Sequence, residues 1–292
     1  MKTIRHIGIV YNLNSTGDAA DIAKKLYDWL RERGKTPQLL ETGHAGHAVE
    51  LTREFASKHS NVLVISVSGD GGYHEVVNGA MQLPISKRPV VAVAGAGNAN
   101  DHRRVARRNS LRELIQNQSI KPLDLLKISV SAEGYKYERY AHSYIGLGLT
   151  AEAGHVINIH SKGIFREIFH VLRALGSFSP FDIEQDGIRT KLDSLVFANI
   201  NEIAKFIKLH KQANLTDGRF EIVRTEHVSR VRTFYELLRI IMTGNVEEKS
   251  YKTFSFKLID PVRVQCDGEV ELLPAGANVK IECAEHALKS LY

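Results

Sequence analysis

Short apolar runs alternate with amphipathic helical segments over the first 120 residues or so, and this alternation constrains the fold more than any other feature of the chain. "IRHIGIVYN" reads as a strand. In "DAADIAKKLYDWLRERG" that follows, Ile22, Leu26, Trp29 and Leu30 recur at helical spacing, and Gly34 stands as a C-terminal cap. "TPQLLET" is the next strand and "HAVELTREFASKH" the next helix. "NVLVISV" and "RPVVAVAG" are further strands, each a continuous apolar run. Strands without polar alternation are buried on both faces, so the pattern predicts a parallel sheet covered by helices on either side.

After "KPLD" at 121–124 the texture changes. "LLKISVSAEGYKYERYAHSYIGLGL" reads as strands joined by a turn near Glu133-Gly134, and a helical stretch follows at about 151–176. "KLDSLVFANI", "GRFEIVRTE", "KTFSFKLIDPVRVQCDGEVEL" and "NVKIECA" are further β-like runs. The helix "SRVRTFYELLRIIMTG", with Val231, Phe234, Leu237, Leu238 and Ile241, interrupts them and is read as core packing. The expected architecture is an α/β nucleotide-binding domain with a parallel sheet (1–124) plus a second, β-sandwich-like domain (125–280). Residues 281–292 form a tail expected to pack back on the first domain.

A chain of 292 residues that is 43% hydrophobic and 25% charged can bury a sizeable core, which argues against disorder. Two cysteines, Cys266 and Cys283, give neither a metal-type spacing nor a disulfide framework. "MKTIRHIGIVYN" reads as a first strand and not as a signal peptide, and no apolar run approaches the ~18 residues that span a bilayer. These features lead us to expect a cytoplasmic protein whose membrane contact is peripheral. The net charge of +6 is modest, yet "RRVARRNSLR" gathers Arg103, Arg104, Arg107, Arg108 and Arg112 within ten residues. Such a cluster suits phosphates, an anionic membrane face or nucleic acid; an exposed helix face explains it equally well.

Two nucleotide signatures are excluded. "GKT" at Gly34–Thr36 ends like a P-loop, but Trp29 stands where the earlier glycine belongs, and the first strand lacks the G-x-G-x-x-G turn. What remains is "SGDGGYHEVVNG" after the third strand and "GAGNAND" after the fourth. In an open parallel sheet, ligands lie beyond the carboxyl ends of the strands, where these turns would be neighbours. Gly69, Gly71 and Gly72 are expected to use positive φ to bring N–H groups near an oxyanion, with a helix starting near Tyr73 adding its dipole. Gly95, Gly97, Asn98 and Asn100 would form a facing wall. Asp70 would repel a bare phosphate, but it fits a ligand that brings a cation along, as a nucleotide with Mg²⁺ does. A plain glycine-rich connection with a capping Asp is the alternative. His44 and His47, three apart, are read as surface histidines because no third ligand completes a metal pattern.

"GDGGYHEVVNG" resembles the GGDGT-x-N-E-V-V-N-G signature of the diacylglycerol kinase catalytic-domain family, which includes bacterial lipid kinases and sphingosine and ceramide kinases. "GAGNAND" resembles that family's P-x-G-T-x-N-D loop. In the family's order follow "YIGLGLTAE", similar to G-x-G-F-D-A, then "LTDGRFEIV", a D-G segment, and "VQCDGEVELLP", a D-G-E segment. "ETGHAGHAVEL" matches the region after the second strand, so the resemblance covers nearly the whole chain.

The resemblance implies an ATP- and Mg²⁺-dependent lipid kinase that transfers the γ-phosphate to a lipid hydroxyl, most simply diacylglycerol, in phospholipid biosynthesis. It implies ATP contacts from Thr42, Ser68, Gly69, Asp70, Gly71, Gly72, Tyr73, His74 and Asn98. Glu269 would accept the proton, with Asp267 and Asp70 also catalytic. Asp217 would hold a structural Mg²⁺, helped by the carbonyls of Asn214 and Arg219. Asp267 and Glu269, two apart, would share one side of an extended strand, and carboxylates so close compete for one proton. Expected partners are the lipid substrate and an anionic membrane surface, with no nucleic acid; a homodimer stays open.

The chain departs from the family pattern in places. Ser68 replaces a glycine, Gly72 and Asn98 replace threonines, Thr150 replaces an aspartate, and "NINEIAKFIKLHKQAN" lacks the usual glycines. Restoring the first threonine by Gly72→Thr is therefore expected to raise transfer. A weak or inactive lipid- or nucleotide-binding member of the fold is the second reading, and an NAD kinase, which shares the glycine-aspartate-glycine loop, the third. Neutralising three of the clustered arginines is expected to weaken binding to anionic vesicles in a salt-sensitive way, measured by co-sedimentation; unchanged binding would remove them from the membrane contact.

Overall fold

The computed structural model describes residues 4–13, 18–95, 110–152, 178–200, 202–203, 207–208, 215–243 and 249–291. They divide into two units: residues 1–125, 215–217 and 285–292 in the first, 126–214 and 218–284 in the second.

The apolar runs of the first unit become parallel strands. β1 (His6–Tyr11) lies between β2 (Thr36–Glu41) and β3 (Val62–Ser68), and β4 (Val90–Gly95) pairs with β3 on its far side. The next neighbour of β4 is the end of the last strand, β17 (Asn278–Leu291), parallel through Lys289 and Ser290. All residues of β3 but Ser68 are buried, as its unbroken apolar run requires. α1 (Ala19–Arg31) turns Ala23, Leu26 and Leu30 toward Ile7, Ile9, Leu63 and Ile65 in one apolar core. Gly34 follows it in the left-handed region, as the expected cap should.

α2 (His47–Lys58) and α3 (Asp70–Met81) pack on each other at Gly79, the glycine of "VVNG". A Cβ on Gly79 would lie 2.5 Å from the Val49 carbonyl oxygen and 2.9 Å from Thr52 Cβ, so only a bare backbone fits there. α4 (Leu111–Gln116) opens on a capping box in which Ser110 accepts from the Glu113 N–H and Glu113 accepts from the Ser110 N–H. Upstream of it, Arg103, Arg104, Arg107 and Arg108 lie outside the described residues.

The second unit is antiparallel. β5 (Ile120–Ala132), which begins in the first unit, and β6 (Tyr135–Ala141) form a hairpin around Glu133-Gly134, as read from the sequence. β7 (Tyr144–Gly148), β8 (Phe181–Gln185) and β12 (Phe220–Glu226) all pair with β9 (Ile188–Ala198). β14 (Thr253–Leu258) joins β8 to β17, while β15 (Val262–Cys266) joins β7 to β16 (Glu269–Leu273). Short pairs complete the strands: β10 (Glu202–Ile203) with β11 (Ile207–Lys208), and β13 (Ser250–Tyr251) with β12. Leu126, Ile145, Leu195, Phe197, Phe220 and Val264 belong to its buried core.

α5 (Arg230–Thr243) starts where buried Asp193 of β9 accepts bonds from His227 Nδ1 (2.7 Å) and the Thr233 hydroxyl. Val231, read from sequence as a core residue, is 67% exposed. The side chains of Phe234, Leu237, Leu238 and Ile241 lie outside the described residues, as does the helical reading from 153 to 176. No helix among the described residues is long and apolar enough to cross a membrane. Gly79→Ala is expected to lower stability by about 1–3 kcal/mol by forcing α2 and α3 apart, read from urea unfolding.

Candidate functional site

The strand order β2-β1-β3-β4 places the chain reversal between β1 and β3, and the crevice beyond their carboxyl ends is where open α/β sheets take ligands. Thr42 sits at this edge just after β2. Its N–H (2.9 Å) and hydroxyl (3.3 Å) both donate to the carbonyl of Tyr11, the last residue of β1. Ser68 ends β3, and Gly69 precedes α3 in extended conformation.

The helix begins at Asp70, three residues earlier than the sequence indicated. Asp70, Gly71, Gly72 and Tyr73 therefore form its first turn, and none of Gly69, Gly71 and Gly72 has positive φ. The expected left-handed glycine loop is replaced by a helix N-terminus whose amides and dipole face the strand edge. Asp70 belongs there on electrostatic grounds alone, since an acidic side chain is favoured in a first helical turn. Tyr73 and His74 are buried, and Asn78 Nδ2 donates to the His74 carbonyl at 2.9 Å. Asn98, with Gly97 and Asn100, lies outside the described residues.

Sequence reasoning passed over Glu75. From α3 its carboxylate accepts the Gly46 N–H (3.0 Å) and the Ala48 N–H (3.1 Å), so it satisfies the N-terminus of α2 and fixes the stretch that follows Thr42. Spacing alone gives no sign of this, because the bonds span 27 and 29 residues. His44 and His47 stack with centroids 4.6 Å apart, and Glu50 brings a third potential ligand atom within 4.8 Å, so a carboxylate does join them. His47 Nδ1 is already an acceptor for the Gly43 N–H at 3.0 Å, which leaves its proton on Nε2.

In the second unit, Asp267 and Gly268 are the two turn residues of the β15–β16 hairpin, with φ of 49° and 108°. Cys266 pairs directly with Glu269, so the expected extended strand with both carboxylates on one side does not form. Asp267 is 3% exposed. Its carboxylate accepts the N–H groups of His142 (2.7 Å), Ser143 (2.9 Å) and Tyr144 (3.1 Å), with His142 Nε2 at 3.4 Å. A carboxylate so engaged holds the entry to β7 and is a positioning group. Glu269, the first residue of β16, is exposed and available to solvent. Burial, with the Asp267 charge beside it, pushes the Cys266 thiol up to about 12, so this cysteine is not a nucleophile.

Asp217 and Arg219 flank Gly218 in the turn before β12; both are exposed, and Arg219 donates to the Ser250 carbonyl at 3.2 Å. Asn214 lies outside the described residues. Thr150, where the family pattern has an aspartate, bonds the Ser194 hydroxyl at 2.6 Å.

The fold is thus a parallel α/β domain and a further antiparallel β region. Residues 6–128 match the model of the diacylglycerol kinase catalytic domain, the family whose motifs the sequence resembles. Over 72 residues it is 39% identical to "Probable lipid kinase YegS-like" of Chromohalobacter salexigens, a match covering 25% of this chain and 23% of that protein's length. The fold is shared with the crystal structure of a diacylglycerol kinase from Bacillus anthracis str. Sterne: TM-score 0.70, 20% identity, 100% of this chain and 98% of that one. A more distant likeness is to yeast NADH kinase complexed with NADH, with TM-score 0.51 and 12% identity over 99% of this chain and 83% of that one. At these identities the solved structures speak to fold alone.

Asp267→Ala is expected to strip two buried N–H groups and one half-buried N–H group of their acceptor and cost about 3 kcal/mol or more, measured by thermal unfolding. Full stability in this variant would show that the turn does not depend on the carboxylate.

Proposed function

We propose that this protein is an ATP-dependent lipid kinase that moves the γ-phosphate to a lipid hydroxyl, most simply that of diacylglycerol. The observation that carries the reading is the first turn of α3 at the ligand edge of the parallel sheet, inside the segment that matches the family's model. The N–H groups at Asp70, Gly71 and Gly72 meet phosphate oxygens, Thr42 and Asn98 would add further contacts to the nucleotide, and the Tyr73 N–H, bonded to the Gly69 carbonyl at 3.2 Å, closes the first turn. Glu75 holds the Thr42 side in place.

Glu269 takes the proton of the acceptor hydroxyl as that oxygen bonds to the γ-phosphorus. The bond to the bridging oxygen breaks and ADP departs. Asp267 positions the neighbouring backbone and does not itself receive the proton. Asp217 offers a hard oxygen ligand and, with the carbonyls of Asn214 and Arg219, would hold Mg²⁺. Bound there, the ion supplies positive charge and fixes the turn before β12. The basic cluster around Arg103–Arg112 supports peripheral contact with an anionic membrane surface.

Gly72, which lacks a hydroxyl, favours a second reading: a binder of nucleotide or lipid on the same fold without turnover. Labelled ATP offered with a panel of lipids, and in a separate reaction with NAD, separates these. Transfer to one lipid, falling by about 10²-fold or more in Glu269→Ala, is the expected result. Tight ATP binding without transfer would select the binder, and label appearing on NAD would select the third reading.

A further inference from the structure

Two of the departures from the family pattern touch each other. An ideal Cβ built on Gly72 would lie 2.6 Å from both Cβ and Oγ of Ser68. Contacts that short do not occur, and Ser68 Cβ cannot swing away as the tip of a long side chain could. Ser68 already fills the space that a side chain at 72 would need. The two positions lie four apart across the strand-to-helix junction, at the ligand edge of the sheet.

The hydroxyl of Ser68 is placed for use. It is half-buried, and it bonds the Ser66 hydroxyl at 2.6 Å and donates to the Gly69 carbonyl at 2.9 Å. Ser66 is fully buried on β3. With Ser66 as donor to Ser68 Oγ, the Ser68 proton stays free to turn from the Gly69 carbonyl to another acceptor. Only a rotation about Cβ–Oγ is needed. A phosphate oxygen arriving at the first turn of α3 would be such an acceptor.

We propose that Ser68 binds nucleotide phosphate in place of a hydroxyl at position 72, its side chain occupying the volume that residue 72 would otherwise use. The pair is a matched exchange, serine with glycine standing where the family signature has glycine with threonine. This rests on the kinase reading above. It overturns the expectation that Gly72→Thr alone raises transfer, because that threonine would collide with Ser68.

Four proteins test it: wild type, Ser68→Gly, Gly72→Thr and the double variant, with ATP and adenosine affinities and melting temperature measured for each. Ser68→Gly is expected to weaken ATP binding by about ten-fold or more, the worth of one hydrogen bond to a charged group, while leaving adenosine affinity unchanged. Gly72→Thr alone lowers the melting temperature and does not tighten ATP. The double variant recovers both ATP affinity and melting temperature, a strong non-additivity. Wild-type ATP affinity in Ser68→Gly, or additive effects of the two changes, would overturn the exchange while leaving the kinase reading intact. A wild type that binds no ATP would overturn both, and a melting temperature that recovers without ATP affinity would reduce the pair to packing.

Discussion

Buried backbone N–H groups must find acceptors, and in this protein carboxylates supply them where the chain turns between elements. Glu75 holds the start of α2, Asp267 the entry to β7, and Asp124 the His286 N–H at 2.6 Å. Asp124 also donates its own N–H to the Leu215 carbonyl, which ties β5, the Leu215–Asp217 segment and the C-terminal strand together within the first unit. Each of these acids lies in or beside a stretch that looks chemical when read as letters. In the folded chain each of them serves as an acceptor for backbone N–H groups, whatever its motif suggests.

That division changes how the acidic motif is understood. "DGE" reads as a pair of carboxylates, but a hairpin turn sends its members to different tasks, one inward to three amides and one outward to solvent. The Asp186-Gly187 turn between β8 and β9 has a similar backbone, with φ of 53° and 77°. There Asp186 is exposed and carries no such burden. The same dipeptide makes the same turn, and the surrounding fold decides what the carboxylate does.

Much of the fold was legible because it rests on period and on local backbone preference. Unbroken apolar runs became β1, β3 and β4, and the turn at Glu133-Gly134 and the helix 230–243 fell where expected. The start of α3 was misplaced because three glycines near one aspartate look like a loop, while tertiary packing at Gly79 and the Glu75 bonds to α2 favour a helix from Asp70 onward. Val231 follows the helical period and is nonetheless exposed, since an apolar stripe does not reveal how far along a helix the core extends.

By itself the sequence determined the parallel α/β part and the antiparallel part, since these follow from side-chain periodicity and short-range backbone preference. Tertiary structure alone decided that Asp267 faces amides, that Glu75 spans from α3 to α2, and that Ser68 and Gly72 share one volume. Those facts depend on which atoms come within a few ångströms of each other after the chain has folded, and such distances are not written in the spacing of letters.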